Sequence, residues 1–452
     1  MKKIQLTIAI TMFLVTANAQ TNPAILNWLQ NTNGIKGRHY VKNNPTPFKD
    51  SASANVLKVQ YSSDWAYIKT QGIPAYLTGP FLDGNRDTAQ PQNAIFKVSL
   101  TPKANTGPLS ATTLGNIGLF INGVALFDYR DAVSWSNAAQ ALKGGPLMGM
   151  GDGIWNRDAV VGEKDGFDCA KGHPARGNYH LHQNPSAFKL DKKVISTICN
   201  LYDADGLYTI DSIKHSPLIG FAYDGFPIYG AYAYKNTDRT GGITRMKSSF
   251  RLRNITVRNT YYNGSSVTAG PPVSATYPLG YFREDYYYDT TSAATPDYLD
   301  EHNGRICKTP EYPDGIYCYF ATVDANWNSA YPYAVGPYFY GIKNAIRVFS
   351  IAEPVTTYSP SSSGIKPLGA DFKIDIYPNP ASDLIAIQVN DLNKDNLKIN
   401  LYDMNGKLVD TTVLFQGSTI AYFDTQKLYA GEYLITLSNG ISLINKKIVI
   451  MK

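Results

Sequence analysis

The chain has 452 residues, of which 44% are hydrophobic and 17% charged, with a net charge of +6. That length allows more than one core, and the mild positive excess is scattered, with no Lys/Arg run to follow a phosphate backbone. Nucleic acid is therefore disfavoured as a partner. The 33 tyrosines fit a β-rich extracellular protein with aromatic surfaces and fit a carbohydrate-facing groove equally well.

Residues 1–19 read as a secretory signal peptide: Lys2 and Lys3, an apolar run from Ile4 to Thr16, then Ala17-Asn18-Ala19 before Gln20. Losing it leaves a charge of +4. No later stretch approaches about 18 consecutive apolar residues, so no transmembrane anchor is expected. The mature protein is expected to be exported through the periplasm, to the outer cell surface or the medium.

A large unit follows, roughly 24–354. Gly118 to Phe127 places Asn122-Gly123 between two apolar runs, a hairpin signal. Gly220 to Gly230 repeats the device with Asp224-Gly225. Between them lies Gly172-His173-Pro174-Ala175-Arg176-Gly177-Asn178-Tyr179-His180-Leu181-His182, which holds three of the six histidines. On a strand His180 and His182 share one face, roughly 7 Å apart at their bases, and His173 can return through the Pro174 and Gly177 turn. Three imidazoles with an open position describe a catalytic or redox metal site. The bland alternative is a polar face hydrogen-bonded to backbone.

His215 and Asp224 flank a strand that would pack beside the His-x-His strand and supply further ligands or a base, although Asp224 also suits a turn. Glu301 and His302 are a further candidate pair, or solvated loop residues. They open a weak echo of the histidine segment: Asp168-x-x-x-Gly172-His173 leading to Gly177-x-Tyr179, against Asp300-x-x-x-Gly304-Arg305 leading to Gly315-x-Tyr317. Arg305, Cys318 and Phe320 then replace the three histidines. Duplication and coincidence both account for this.

Cys169, Cys199, Cys307 and Cys318 suit two disulfides in an exported chain, with proximity favouring Cys169–Cys199 and Cys307–Cys318. Alternatively, Cys169 is a thiolate ligand. The Ser/Pro-rich stretch 355–370 reads as a linker. The tail, 371–452, shows short alternating strands such as Leu397 to Tyr402, Gly431 to Leu437 and Lys447 to Met451.

Two resemblances follow. Tyr377-Pro378-Asn379-Pro380-Ala381, Asp403-Met404-Asn405-Gly406-Lys407, Leu428-Tyr429-Ala430-Gly431-Glu432-Tyr433 and the basic ending from Lys446 resemble the type A sorting domain of the Bacteroidetes type IX secretion system. This implies a small Ig-like β-sandwich and handling by that secretion machinery, usually with cleavage of the tail. An ordinary Ig-like binding module is the other reading. Gly118 to Phe127, Trp155-Asn156-Arg157, Phe167-Asp168-Cys169, the histidine segment, His215 to Gly230 and Asp300 to Gly315 together resemble the YHYH domain family over about 55–345. The departure is Leu181, where a second tyrosine would stand. It faces away from the histidines and leaves them intact. That resemblance implies a domain and little mechanism.

No H-E-x-x-H helix, G-x-S-x-G elbow or Walker A loop is present. The expected architecture is mainly β: a large sandwich or irregular barrel, then the small sandwich. The expected function is metal binding through His173, His180 and His182, with zinc or copper, catalytic or not. If catalytic, Glu301 or Asp224 is the candidate base. The alternative is a non-enzymatic surface module holding glycans or peptide.

Overall fold

The computed structural model describes residues 22–452 apart from 45, 82–87, 145–150, 187–205, 293–294, 345–346, 361–373, 390–395, 405, 416–417 and 439–442. The signal peptide, Cys199, Asn405 and most of the expected linker lie outside the described residues. The chain divides into two compact units, Met1–Tyr358 and Ser359–Lys452. No closed barrel forms among the described residues, and the helices are single turns.

The first unit is organised by an eight-stranded sheet. Its strands are β1 (Asn116–Phe120), β2 (Ala125–Phe127), β3 (Gly172–Ala175), β4 (Asn178–Leu181), β5 (Leu218–Ala222), β6 (Pro227–Tyr229), β7 (Gly304–Cys307) and β8 (Ile316–Phe320). They lie in the order β3-β4-β2-β1-β5-β6-β8-β7. The sheet shares one core with a five-stranded sheet that includes Val56–Tyr61, Trp65–Thr70 and Ala94–Ser99. Every residue of β5 is buried, as the continuous apolar run Leu218 to Ala222 demands.

The order reads as one four-stranded unit used twice about the β1–β5 seam. There the Ile121 amide donates to the Ile219 carbonyl and the Tyr223 amide to the Ile117 carbonyl, both at 2.9 Å. The two apolar hairpins turn alike: Asn122 accepts from the Val124 amide at 3.1 Å, and Asp224 from the Phe226 amide at 3.2 Å. Gly123 and Gly225 supply the positive φ that each turn requires (80° and 88°). At the seam a Cβ on Gly220 would sit 2.7 Å from the Leu119 carbonyl, and one on Gly118 would sit 2.9 Å from the Phe221 carbonyl. The small residue is what lets the backbones approach.

The outer hairpins repeat too. In β3–β4, His173 faces His180 and Gly172 faces Leu181. In β7–β8, Arg305 faces Cys318 and Gly304 faces Tyr319. Each outer pair joins the inner strands in parallel, β4 on β2 and β8 on β6. The echo in the sequence is thus a repeat in space.

The second unit carries a three-stranded sheet (Ile374–Tyr377, Leu384–Val389, Ile420–Asp424) and a four-stranded one (Leu397–Asp403, Leu408–Leu414, Gly431–Ser438, Leu443–Ile450). Alternating residues of both, among them Ile385, Ile387, Ile399, Leu401, Ile435 and Leu437, make its core. The Asp403 side chain accepts from the Lys407 amide at 2.9 Å, closing the tight turn that the Asp-x-x-Gly-Lys sequence encodes.

Two cysteine expectations need correction. Cys307 and Cys318 are free, buried thiols. The strand register pairs Cys307 with Ile316, so the two cysteines stand diagonally on one face. Diagonal neighbours hold their Cβ atoms up to about 7–8 Å apart, against about 3.8 Å in a disulfide. The Cys318 thiol donates instead to the Ile316 carbonyl at 3.5 Å. Cys169 is buried and is not a free thiol, and it does not join the histidine cluster.

Candidate metal centre

Alternation along β4 sends Tyr179 and Leu181 into the core, where both are buried, and turns His180 and then His182 to the opposite face. Tyr179 packs against Tyr76 and Phe81 and donates its hydroxyl to buried Asp168 at 2.8 Å. Asp168 also accepts the amides of Ala170, Gly172 and Gly79, each at 3.0 Å. This carboxylate ties the hairpin to its approach loop. Burial pushes its pKa up to about 7, against the pull of those hydrogen bonds.

His173, His180 and His182 converge. One nitrogen from each lies within 4.8 Å of the others, and all three residues are buried. The His180 Nδ1 donates to the Asn178 carbonyl at 2.9 Å and the His182 Nδ1 to the Asp128 carbonyl at 2.7 Å. A carbonyl only accepts, so the Nδ1 atoms carry the hydrogens and the Nε2 lone pairs are free when the rings are neutral. Those two Nε2 atoms face each other at 3.1 Å. Carbonyl-anchored imidazoles of this kind are the usual outer support of a metal ligand.

A fourth group joins them. The Glu163 Oε2 lies 3.2 Å from His173 Nε2 and 3.3 Å from His182 Nε2. Glu163 follows the one-turn helix α1 (Ala159–Gly162), delivered by the strand Asn156–Asp158. Asp158 caps that helix by accepting the Val160 amide at 2.8 Å, and its other oxygen accepts the Tyr333 hydroxyl at 2.8 Å. A Cβ on Gly162 would overlap the Arg157 guanidinium, which is paired with Asp131. The small residue lets the turn lie on that ion pair and aim Glu163 inward. Nothing in the sequence flagged Glu163: Gly162-Glu163-Lys164-Asp165-Gly166 reads as a polar loop, and a four-residue helix has no periodicity to detect.

The surroundings are dry and aromatic. Phe127 stacks on His180 at 3.7 Å between centroids, and Phe167 meets His173 edge-on at 4.9 Å. Burial, then the two neighbouring imidazoles, push the His180 pKa well down. Burial opposes the charged form of His182 as well, but Glu163 beside it raises that pKa. Burial would raise Glu163, yet His173 and His182 together hold it well below the usual carboxylate range. The Glu163 Oε2 and His173 Nε2 remain buried without a hydrogen-bond partner.

The remaining candidates stand elsewhere. β2 and β1 separate β5 from β4, so neither His215 nor Asp224 reaches the cluster. Asp224 Oδ2 accepts the Tyr319 hydroxyl at 2.5 Å and the Gly341 amide at 2.8 Å, as an anchor for its turn. His215 donates Nδ1 to the Ser216 carbonyl and sits against Tyr229 and Tyr234. Glu301 lies 3.8 Å from His302, whose Nδ1 meets the Tyr338 carbonyl at 3.2 Å. This pair belongs to the loop before β7, in the copy without the histidines.

A family model described as "YHYH protein" matches residues 95–332, just over half of the chain. One described as "Secretion system C-terminal sorting domain" matches residues 375–451. No curated protein matches the chain. The tail implies handling by the type IX machinery and secretion to the cell surface or exterior, and no helix among the described residues is long and apolar enough to cross a membrane. Its sheet, its histidine hairpin and its family match thus fall in one stretch, and the chain belongs to the YHYH protein family.

Proposed function

We propose that this exported protein binds one transition-metal ion, zinc or copper, through His173, His180 and His182, with Glu163 as the fourth protein group. The observation that carries the reading is a set of spacings. Ligands held about 2.0–2.1 Å from a tetrahedral ion lie about 3.3 Å from one another. Three of the six separations among His180, His182, His173 and Glu163, at 3.1, 3.2 and 3.3 Å, are close to that figure before any ion is added, and the three imidazole nitrogens lie within 4.8 Å of one another. The facing imidazole nitrogens and the buried carboxylate oxygen need a shared cation between them, which a metal ion can supply in place of a proton. Imidazole and carboxylate suit both ions, and the choice rests on supply as much as on the ligands.

Four protein groups fill a tetrahedral ion and favour a binding or structural centre. A hydrolytic reading needs Glu163 to yield its place to water and act as base. Its side chain, 26% exposed, supports that second reading. In that case the ion would supply a water of lowered pKa, and Glu163 would take the proton.

The test is metal analysis of the purified chain after reconstitution with zinc and with copper. About one equivalent is expected, lost in the His180→Ala, His182→Ala double variant. The same metal content in both proteins, or none in either, overturns the centre.

A further inference from the structure

The second arm of the sheet places sulfur where the first places nitrogen. Cys318 on β8 stands at the position that His180 holds on β4, and Cys307 lies two residues along β7 from Arg305, the counterpart of His173. Side chains alternate along a strand and directly paired residues share a face. Arg305, Cys307 and Cys318 therefore project from one face of the hairpin. Ile306 points the other way and is exposed. Both cysteines are free and buried.

Their spacing suits an ion better than a disulfide. Diagonal Cβ atoms up to about 7–8 Å apart leave roughly 4–5 Å between the sulfurs when both thiols lean inward. Two metal–sulfur bonds of about 2.3 Å in a straight line span about 4.6 Å. The hydrogen bond from Cys318 to the Ile316 carbonyl is long, at 3.5 Å, and is given up with the proton. Among the described residues no third histidine, cysteine or carboxylate completes a ligand group with the pair. Zinc takes four ligands, whereas two thiolates alone suit copper(I).

Charge points the same way. Two thiolates and a monovalent ion carry one net negative charge. Arg305 is bonded to the neutral carbonyls of Lys235, Pro296 and Tyr234, and its Nε is buried without a hydrogen-bond partner. Cys318 and then Arg305 pull the Cys307 pKa down against burial. Burial and then Cys307 raise Cys318, and Arg305 opposes them. Glu311, whose charge also reaches Cys318, is engaged by the Tyr229 hydroxyl at 2.8 Å. A monovalent dithiolate complex balances the buried guanidinium, and a divalent one leaves that charge uncompensated.

We propose that Cys307 and Cys318 bind one copper(I) ion in a two-coordinate dithiolate site, separate from the histidine centre. Two sulfur–copper bonds form, the two thiol protons leave to solvent, and no oxidation state changes. β7 is the last strand of its sheet, so the ion reaches the pair by local opening of that edge. Zinc leaves the pair empty.

The experiment is a copper(I) titration of the full chain, purified and handled without oxygen, in competition with bathocuproine disulfonate. It uses the His180→Ala, His182→Ala background, so the result does not depend on the histidine centre. About one equivalent is expected to be retained, at least about tenfold more tightly than when Cys307→Ser and Cys318→Ser are added. X-ray absorption of the bound copper, which needs no further variant, is expected to show two sulfur neighbours. Zinc offered to the same background is expected not to bind. No copper retained, copper held only by nitrogen or oxygen, affinity unchanged by the serines, zinc bound as well as copper, or a pair already closed as a disulfide overturns the site.

Discussion

Asp168 and Asp300 perform the same task at opposite ends of one sheet. Asp168 Oδ1 accepts the amides two and four residues on, from Ala170 and Gly172, and its Oδ2 accepts the Tyr179 hydroxyl at 2.8 Å. Asp300 accepts the amides of His302 and Gly304 and the Tyr317 hydroxyl, also at 2.8 Å. Lys171 and Asn303 hold matching left-handed φ values of 66° and 68°. In the first hairpin the position after the glycine is His173. In the second it is Arg305, whose guanidinium feeds the carbonyls of Lys235, Pro296 and Tyr234.

That match separates stability from ion binding. Tyr179→Phe and Tyr317→Phe each remove a hydroxyl from a carboxylate and are expected to cost about 1–3 kcal/mol in urea unfolding. Only Tyr179→Phe, beside His180, is expected to weaken metal retention as well. Equal effects of both on metal content would refute the division of labour.

Glu163→Gln removes the charge and keeps the shape. If Glu163 is the fourth ligand, competition with a chelator should show metal affinity falling about 10–100-fold, with His173, His180 and His182 still retaining some ion. Affinity unchanged within twofold would remove Glu163 from the ligand set and favour its role as a base.

Asp224 sets an acid-side dependence. Burial lifts its pKa from 3.8 to about 6, in spite of the hydrogen bonds from Tyr319 and Gly341. A carboxyl group with a folded-state pKa above its unfolded value gives stability that is fully present below 3.8 and lost as the pH rises through about 6. Melting temperature should therefore show a component that declines between those values, absent from Asp224→Asn. An identical pH profile in the variant counts against it.

Cys307 and Cys318 are expected to alkylate when the purified chain is unfolded without reductant, and to resist the reagent while it is folded. Labelling only after reduction would show that the pair had closed.

The histidine hairpin was legible because period-two alternation and a Pro/Gly turn are written locally in Gly172 to His182. So were the two apolar hairpins, each marked by Asn-Gly or Asp-Gly. Glu163 was not, because its position comes from a single capped turn resting on Arg157, a contact that no local pattern records. His215 and Asp224 looked adjacent to the site because sequence order suggested neighbouring strands. The sheet instead places β1 and β2 between, as the parallel pairing of β4 on β2 requires. The doubling was faint in sequence because its two copies share turn residues and a carboxylate–tyrosine pair, but different residues at the ligand positions.

Because the two arms of the sheet share a frame and differ in what they grip, the protein contains its own blank. If the proposed ion sits at the histidines, withdrawing it should let amide protons of β3 and β4 exchange faster while those of β7 and β8 keep their pace. Within a single molecule, the arm with Arg305, Cys318 and Phe320 would report what the scaffold does without that ion, and the arm with His173, His180 and His182 what the proposed ion adds.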